Sequence, residues 1–287
     1  MSTDVSYSNV LKDIEDFYVE TSVDAYAPTL NKKFKFKPLS VSQMKRFIEL
    51  QVKAAKDELG IITSLDMVND LNNCLVENYI GSDGKELLDQ LTILDRDNIV
   101  AQLRASNSGT LDIPSQTEED EAETVDISHL LTNKNKKLPA DCKKHEKVFK
   151  FKTGHIKLKL RLPTLQLDTL INSYFKAQVG PYLRQGAKKF QGHVEKILSQ
   201  TYFVELCKYI EVLEIEKDSK STTITFDNLH TLTNQLIFLE DLPSNIVIEI
   251  NNYIKKIKEY KDETIYYVDS NGKHKPLTVD VNLFTSI

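Results

Sequence analysis

Two stretches of the chain alternate strictly between apolar and basic residues and then meet a proline. The first is Lys33-Phe34-Lys35-Phe36-Lys37-Pro38-Leu39-Ser40. The second is His155-Ile156-Lys157-Leu158-Lys159-Leu160-Arg161-Leu162-Pro163-Thr164. A period of two puts the apolar side chains on one face of a strand and the cations on the other. Proline cannot donate to a strand ladder, so it ends the strand, and the following Ser or Thr can cap the amphipathic helix pattern behind it. The chain therefore reads as two related halves, each a strand, a proline, a hydroxyl cap and a helix.

Between and after these units the apolar spacing is mostly helical. Val41, Met44, Phe47, Ile48 and Val52 form a stripe at spacings of three and four over about 40–58. Leu65, Val68, Leu71, Leu75 and Tyr79 predict a second helix stopped by Gly81, and Leu87, Leu88 and Leu91 begin another. Asp95 is placed to cap a helix through Ile99, Val100 and Leu103 that ends near Gly109, a left-handed stop. In the second half, strands are expected at 147–152 and 156–162. A helix through Leu167, Leu170, Ile171 and Phe175 follows, broken at Val179-Gly180-Pro181. Another is expected over 191–209, then a hairpin of Glu211–Glu216 and Thr222–Phe226, and then a helix capped by Asp227. Pro243-Ser244 opens a last helix through Ile246, Ile250, Tyr253 and Ile257. Thr264–Val268 and Leu277–Phe284 close the chain around Ser270-Asn271-Gly272.

Charge divides the chain further. Glu118, Glu119, Asp120, Glu121, Glu123 and Asp126 form an acidic run, and Lys134, Lys136, Lys137, Lys143 and Lys144 a basic one close behind. Few large apolar residues interrupt them, so 114–146 reads as a charged linker or mobile loop, with a partner-docking segment as the functional alternative. Residues 1–30 read as an N-terminal arm, 31–113 as a helical lobe with a leading strand, and 147–287 as an α+β lobe with a closing hairpin. The fold class is α+β, with helix-rich lobes each introduced by short antiparallel strands or hairpins.

The net charge of -5 argues against whole-surface attraction to nucleic acid or anionic membrane. The three cysteines, Cys74, Cys142 and Cys207, have no CxxC spacing, which points to reduced thiols in a cytoplasmic setting. The first seventeen residues lack the apolar run of a signal peptide, and no stretch approaches the roughly 18 apolar residues of a membrane span.

Motifs for chemistry are sparse. There is no GxGxxG, P-loop, GxSxG or HExxH. The six histidines are scattered singly, without a second ligand at metal spacing, and read as surface or structural residues. Asp95 and Asp97 are explained by capping and first-turn charge more simply than as an acid/base pair. No cofactor, metal or small-molecule substrate is implied. The basic strand faces are the remaining candidates: Lys33, Lys35 and Lys37 on one, Lys157, Lys159 and Arg161 on the other. Solvated faces that deter edge pairing are one reading. A docking surface for an acidic partner or nucleic acid is the other, although no aromatic residue interleaves on them for base stacking.

Three segments carry a family resemblance. Phe34-Lys35-Phe36-Lys37-Pro38-Leu39-Ser40-Val41-Ser42-Gln43-Met44-Lys45 resembles an opening strand and helix of the type K-x-R-P-h-x-V. Leu94-Asp95-Arg96-Asp97-Asn98-Ile99-Val100-Ala101-Gln102-Leu103-Arg104-Ala105-Ser106-Asn107-Ser108-Gly109 resembles the signature h-D-x-x-x-h-h-x-Q-L-R-x-x-S-x-G. Ile156–Thr164 is similar to a strand leading into h-x-h-x-x-P-T. The family is that of the baseplate hub and hub-assembly proteins of T-even-type contractile-tailed bacteriophages and their marine relatives. The likeness covers the first half best and continues to about Thr164; the charged stretch at 114–146 departs from some members.

The resemblance implies a non-enzymatic protein that builds, or forms part of, the hub of a phage tail baseplate. Its partners would be other tail and hub proteins, met in the host cytoplasm during assembly or in the virion. Within the signature, Ile99, Val100 and Leu103 form a core stripe. Gln102 and Arg104 lie off it, where they can meet a partner or cap the following loop; for Arg104 a buried ion-pair anchor is the other reading. The alternative function is a nucleic-acid-binding accessory protein using the lysine faces.

Overall fold

The computed structural model describes residues 14, 16, 17, 19–54, 61–81, 83–113, 123–132, 137–183, 201–227, 239–279 and 283. The fold is α+β, with helices packed around several small antiparallel sheets. Strand β1 (Val23–Ala27) pairs with β2 (Lys32–Phe36), with Asp24 opposite Lys35 and Tyr26 opposite Lys33. The segment expected as part of an arm thus supplies the strand that β2 needs for its ladder.

Helices Val41–Ala54, Ile61–Asn78, Gly84–Gln90 and Ile93–Asn107 follow. Strand β3 (Thr110–Ile113) pairs with β4 (Glu123–Asp126). Strands β5 (Lys144–Phe151), β6 (Gly154–Arg161), β7 (Ile210–Lys217) and β8 (Lys220–Thr225) form one four-stranded sheet in that order. Helix Leu165–Leu183 leaves β6, residues 201–209 form the helix entering β7, and helix Ser244–Thr264 precedes the short pair β9 (Tyr266–Val268) and β10 (His274–Pro276).

Both hydroxyl caps form as the sequence predicts. Ser40 Oγ accepts from the Gln43 amide at 3.3 Å, while Gln43 Oε1 accepts from the Ser40 amide at 2.9 Å, a reciprocal capping box. Thr164 Oγ1 accepts from the Leu167 amide at 3.2 Å. The two units nevertheless have different surroundings: β2 belongs to a two-stranded hairpin, whereas β6 is interior to the four-stranded sheet.

Several local expectations change. Thr92, not Asp95, is the N-cap of the Ile93–Asn107 helix; Asp95 is the acid that closes the capping box from the third helical position. That helix ends on an extended Ser108 rather than a left-handed Gly109, because the chain runs straight into β3. Gly180-Pro181 does not break its helix, which continues to Leu183. The last strand among the described residues is His274–Pro276; residues 277–279 of the expected 277–284 strand are not in a strand, and 280–282 and 284 lie outside the described residues. The 191–200 and 228–238 helix expectations lie outside the described residues. The 114–146 segment is no plain linker where it is described: it contributes β4 and buries Val125, Ile127, Leu130, Leu138 and Cys142.

Two cores result. In one, Phe149, Leu158, Leu160, Ile210 and Leu213 on one face of the sheet meet Ile246, Ile250, Tyr253 and Ile257 of the Ser244–Thr264 helix. Each such side chain contributes about 1.5–3 kcal/mol by leaving water. In the other, Ala25, Phe34 and Phe36 of the first hairpin pack with Phe47, Leu71, Leu75 and Ile99. Ile265, Leu277 and Leu283, from the far end of the chain, complete that second core. The stripe expected on Val41–Ala54 is only partly used: Phe47 is buried, but Val41 is 79% exposed and Ile48 and Val52 also face solvent.

Candidate interaction surface

The two lysine rows have different electrostatic surroundings. On β2, Lys33 and Lys35 are exposed and Lys37 is partly buried, and none of the three forms an ion pair among the described residues. Asp24 stands opposite Lys35 without closing to salt-bridge distance. The apolar side of the same strand, Phe34 and Phe36, is buried against Tyr79. The hairpin is therefore anchored on one face and free on the other.

On β6 the row is neutralised by its neighbours. Lys157 Nζ lies 2.9 Å from Glu146 on β5, and Lys159 Nζ lies 2.6 Å from Glu214 on β7. That last hydrogen bond raises the pKa of Lys159 and lowers that of Glu214. Lys144 and Glu211 continue the pattern at 4.0 Å. Arg161 ends the row partly buried, with Nε and Nη2 buried and unbonded; burial lowers its pKa, against the attraction of Glu211 and Asp227.

Gln102 and Arg104 are not at the surface. Every residue from Leu94 to Ala105 is buried, so this stretch of the helix has no solvent face. Gln102 bridges the backbone of Tyr26, accepting from its amide at 3.1 Å and donating to its carbonyl at 3.3 Å. Arg104 Nε donates to the Leu283 carbonyl at 2.7 Å, and Nη1 to the Ser108 carbonyl at 3.0 Å. Asp95 receives the amides of Thr29 and Thr92, each at 2.9 Å. These signature residues hold β1, its turn and the chain end to the central helix.

Beside them lies a buried ionic network. Arg96 bonds Asp97 at 3.0 Å and Asp168 at 3.2 Å; Lys208 bonds Asp168 and Glu205, each at 2.8 Å. Asn72 Nδ2 donates to Thr169 Oγ1 at 3.0 Å and ties the Ile61–Asn78 helix to the Leu165–Leu183 helix. Burial pushes the Asp168 carboxyl up, but Lys208 and Arg96 more than offset this and hold it below its ordinary value. Burial likewise opposes charge on Lys208, and Asp168 and Glu205 reverse that, raising its pKa.

Asp97 also takes Lys261, and these two line a cleft of about 440 Å³ with Tyr209, Ile254, Ile257 and Leu277. The network's acids and cations are engaged with one another, so its role is to lock four helices together.

The sequence reading missed this network. Its one legible trace is that Asp168 precedes Ile171 and Phe175 at helical spacing, on the buried face, and Lys208 sits between Cys207 and Tyr209, both buried. A charge at a core position requires a partner, yet nothing in the sequence identifies which one. Cys74 and Cys207 are buried free thiols, pushed up to about 11 and about 12 by desolvation, and so stay protonated at neutral pH. Among the described residues no group of three or more His, Cys, Asp or Glu is placed to hold a metal, and no helix is long and apolar enough to cross a membrane. The chain matches no protein family, no curated protein and no solved structure.

Proposed function

We propose that this chain is a baseplate hub subunit or hub-assembly factor of a contractile-tailed bacteriophage, acting through protein–protein contacts without catalysis. The three resembling segments supply the family. The observation that carries the mode of action is the lysine row Lys33, Lys35 and Lys37, cations without an acidic partner among the described residues, on a hairpin whose other face is anchored in a core. The helix that follows adds exposed Val41, Ile48 and Val52. Cations beside exposed apolar residues suit docking to an acidic protein surface: charge steers the encounter and apolar contact holds it. The alternative, nucleic-acid binding through both lysine rows, loses half its basis because Lys157 and Lys159 are held by glutamates.

The test is mass spectrometry of purified phage particles beside unassembled infected-cell lysate. Peptides of this chain in particles, at a few copies per tail, mean a hub subunit. Peptides only in lysate, in complex with other tail proteins, mean an assembly factor. Absence from both tail fractions overturns the baseplate reading.

A further inference from the structure

The four-stranded sheet ends in two edges that are protected differently. β5 carries Lys144, Lys147 and Lys150 along its length, and lysines on an edge deter another strand from pairing with it. β8 reads Lys220-Ser221-Thr222-Thr223-Ile224-Thr225. After its first residue it has no charge and no proline, and its pairing with β7 runs without a register shift. Its β-branched residues favour a pleated ladder. Ser221, Thr222 and Thr223 are exposed, and among the described residues nothing else pairs with this edge.

The turn fixes which backbone groups are left over. Lys217 and Lys220 flank Asp218-Ser219, whose φ values are 48° and 63°. A two-residue turn with both φ positive joins flanking residues that exchange hydrogen bonds with each other. The register then runs Ile215 to Thr222 and Leu213 to Ile224. Lys220, Thr222 and Ile224 therefore bond inward to β7, while Ser221 and Thr223 direct N–H and C=O outward. Neither residue has another backbone partner among the described residues.

We propose that β8 is a self-association edge: two copies of this chain pair antiparallel along Ser221–Thr223, about a twofold axis through Thr222. Ser221 of each copy then lies opposite Thr223 of the other and uses the outward groups of both. Thr222 meets Thr222 as a close, non-hydrogen-bonded pair. Charge selects a second copy as the occupant. The paired segment is uncharged, so the twofold brings no like charges together, and each Lys220 falls opposite an Ile224 at the far ends of the contact. The same operation on β5, about Lys147, would set Lys144 of each copy opposite Lys150 of the other. This inference is independent of the baseplate reading, since it concerns the free chain.

Sedimentation velocity on the full chain tests it. A short edge contact gives a weak dimer, with a dissociation constant on the order of 100 µM. Thr222→Lys and Thr222→Glu each place like charges across the axis, and each weakens dimerisation by about tenfold or more. An equimolar mixture of the two variants restores it. Thr223→Pro removes an outward N–H without touching the β7 ladder, so it lowers dimerisation at unchanged circular dichroism. A wild-type chain that stays monomeric to about 1 mM overturns the proposal. So does a dimer that persists in Thr222→Lys alone or in Thr223→Pro.

Discussion

The lysine rows of β2 and β6 share one alternating pattern and end with opposite electrostatics. On β6, acids from strands before and after it in the chain reach across: Glu146 takes Lys157 and Glu214 takes Lys159. On β2 the only cross-strand acid is Asp24, and it stays apart from Lys35. The pattern within a strand dictates which face holds cations. Whether that face is a net cation depends on what is paired beside it. An interior strand has two neighbours to neutralise it, and a strand in a two-stranded hairpin has one. The same contrast separates the Ile93–Asn107 helix, whose charges are all answered from other elements, from Val41–Ala54, whose apolar stripe is half unanswered.

The largest effect is expected where neutralisation is internal. Asp168→Ala leaves Arg96 and Lys208 without their shared acid and costs about 3–5 kcal/mol, measured by urea unfolding. pH sharpens this. The folded pKa of Asp168 is depressed, so its stabilisation is complete above the ordinary carboxylate range, near pH 4. That stabilisation is lost as pH falls through the lower folded value, and the variant lacks this part of the acid slope. Next comes Gln102→Ala, which deprives the partly buried Tyr26 backbone of its partner and costs about 1–2 kcal/mol. Melting that matches wild type would mean that β1 is not held by this residue.

Glu214→Gln, which frees Lys159, is expected to change stability little, because exposed pairs contribute little. Its purpose is to give the β6 face the character of the β2 face. If lysine exposure alone drives docking, the variant gains salt-sensitive binding to acidic tail proteins; if the hairpin is specific, it does not. Lys33→Ala with Lys35→Ala should leave melting unchanged and abolish co-purification with those proteins. Retained co-purification would remove the hairpin from the interface.

The elements legible in the sequence were those set by local periodicity and punctuation. The Ser40 and Thr164 caps, the Asp218-Ser219 turn and the Ile246, Ile250, Tyr253, Ile257 stripe all formed where spacing placed them. What could not be read was pairing at a distance. Val23–Ala27 looks like polar chain until β2 lies beside it. Gln102 and Arg104 lie off the apolar stripe, and nothing in the sequence shows that Tyr26 and Leu283 close over them. For the candidate surface, the residue types were legible and their neutralisation was not, because Glu146 and Glu214 reach β6 only through the sheet.

The contact between Arg104 and the Leu283 carbonyl has a consequence for biosynthesis. The core that holds the first hairpin is finished by Ile265, Leu277 and Leu283. While the chain is still emerging from the ribosome, its first half can form helices but cannot close that core. The first hairpin therefore lacks part of its core until Ile265, Leu277 and Leu283 have been made, and a chain interrupted before them would leave that core incomplete.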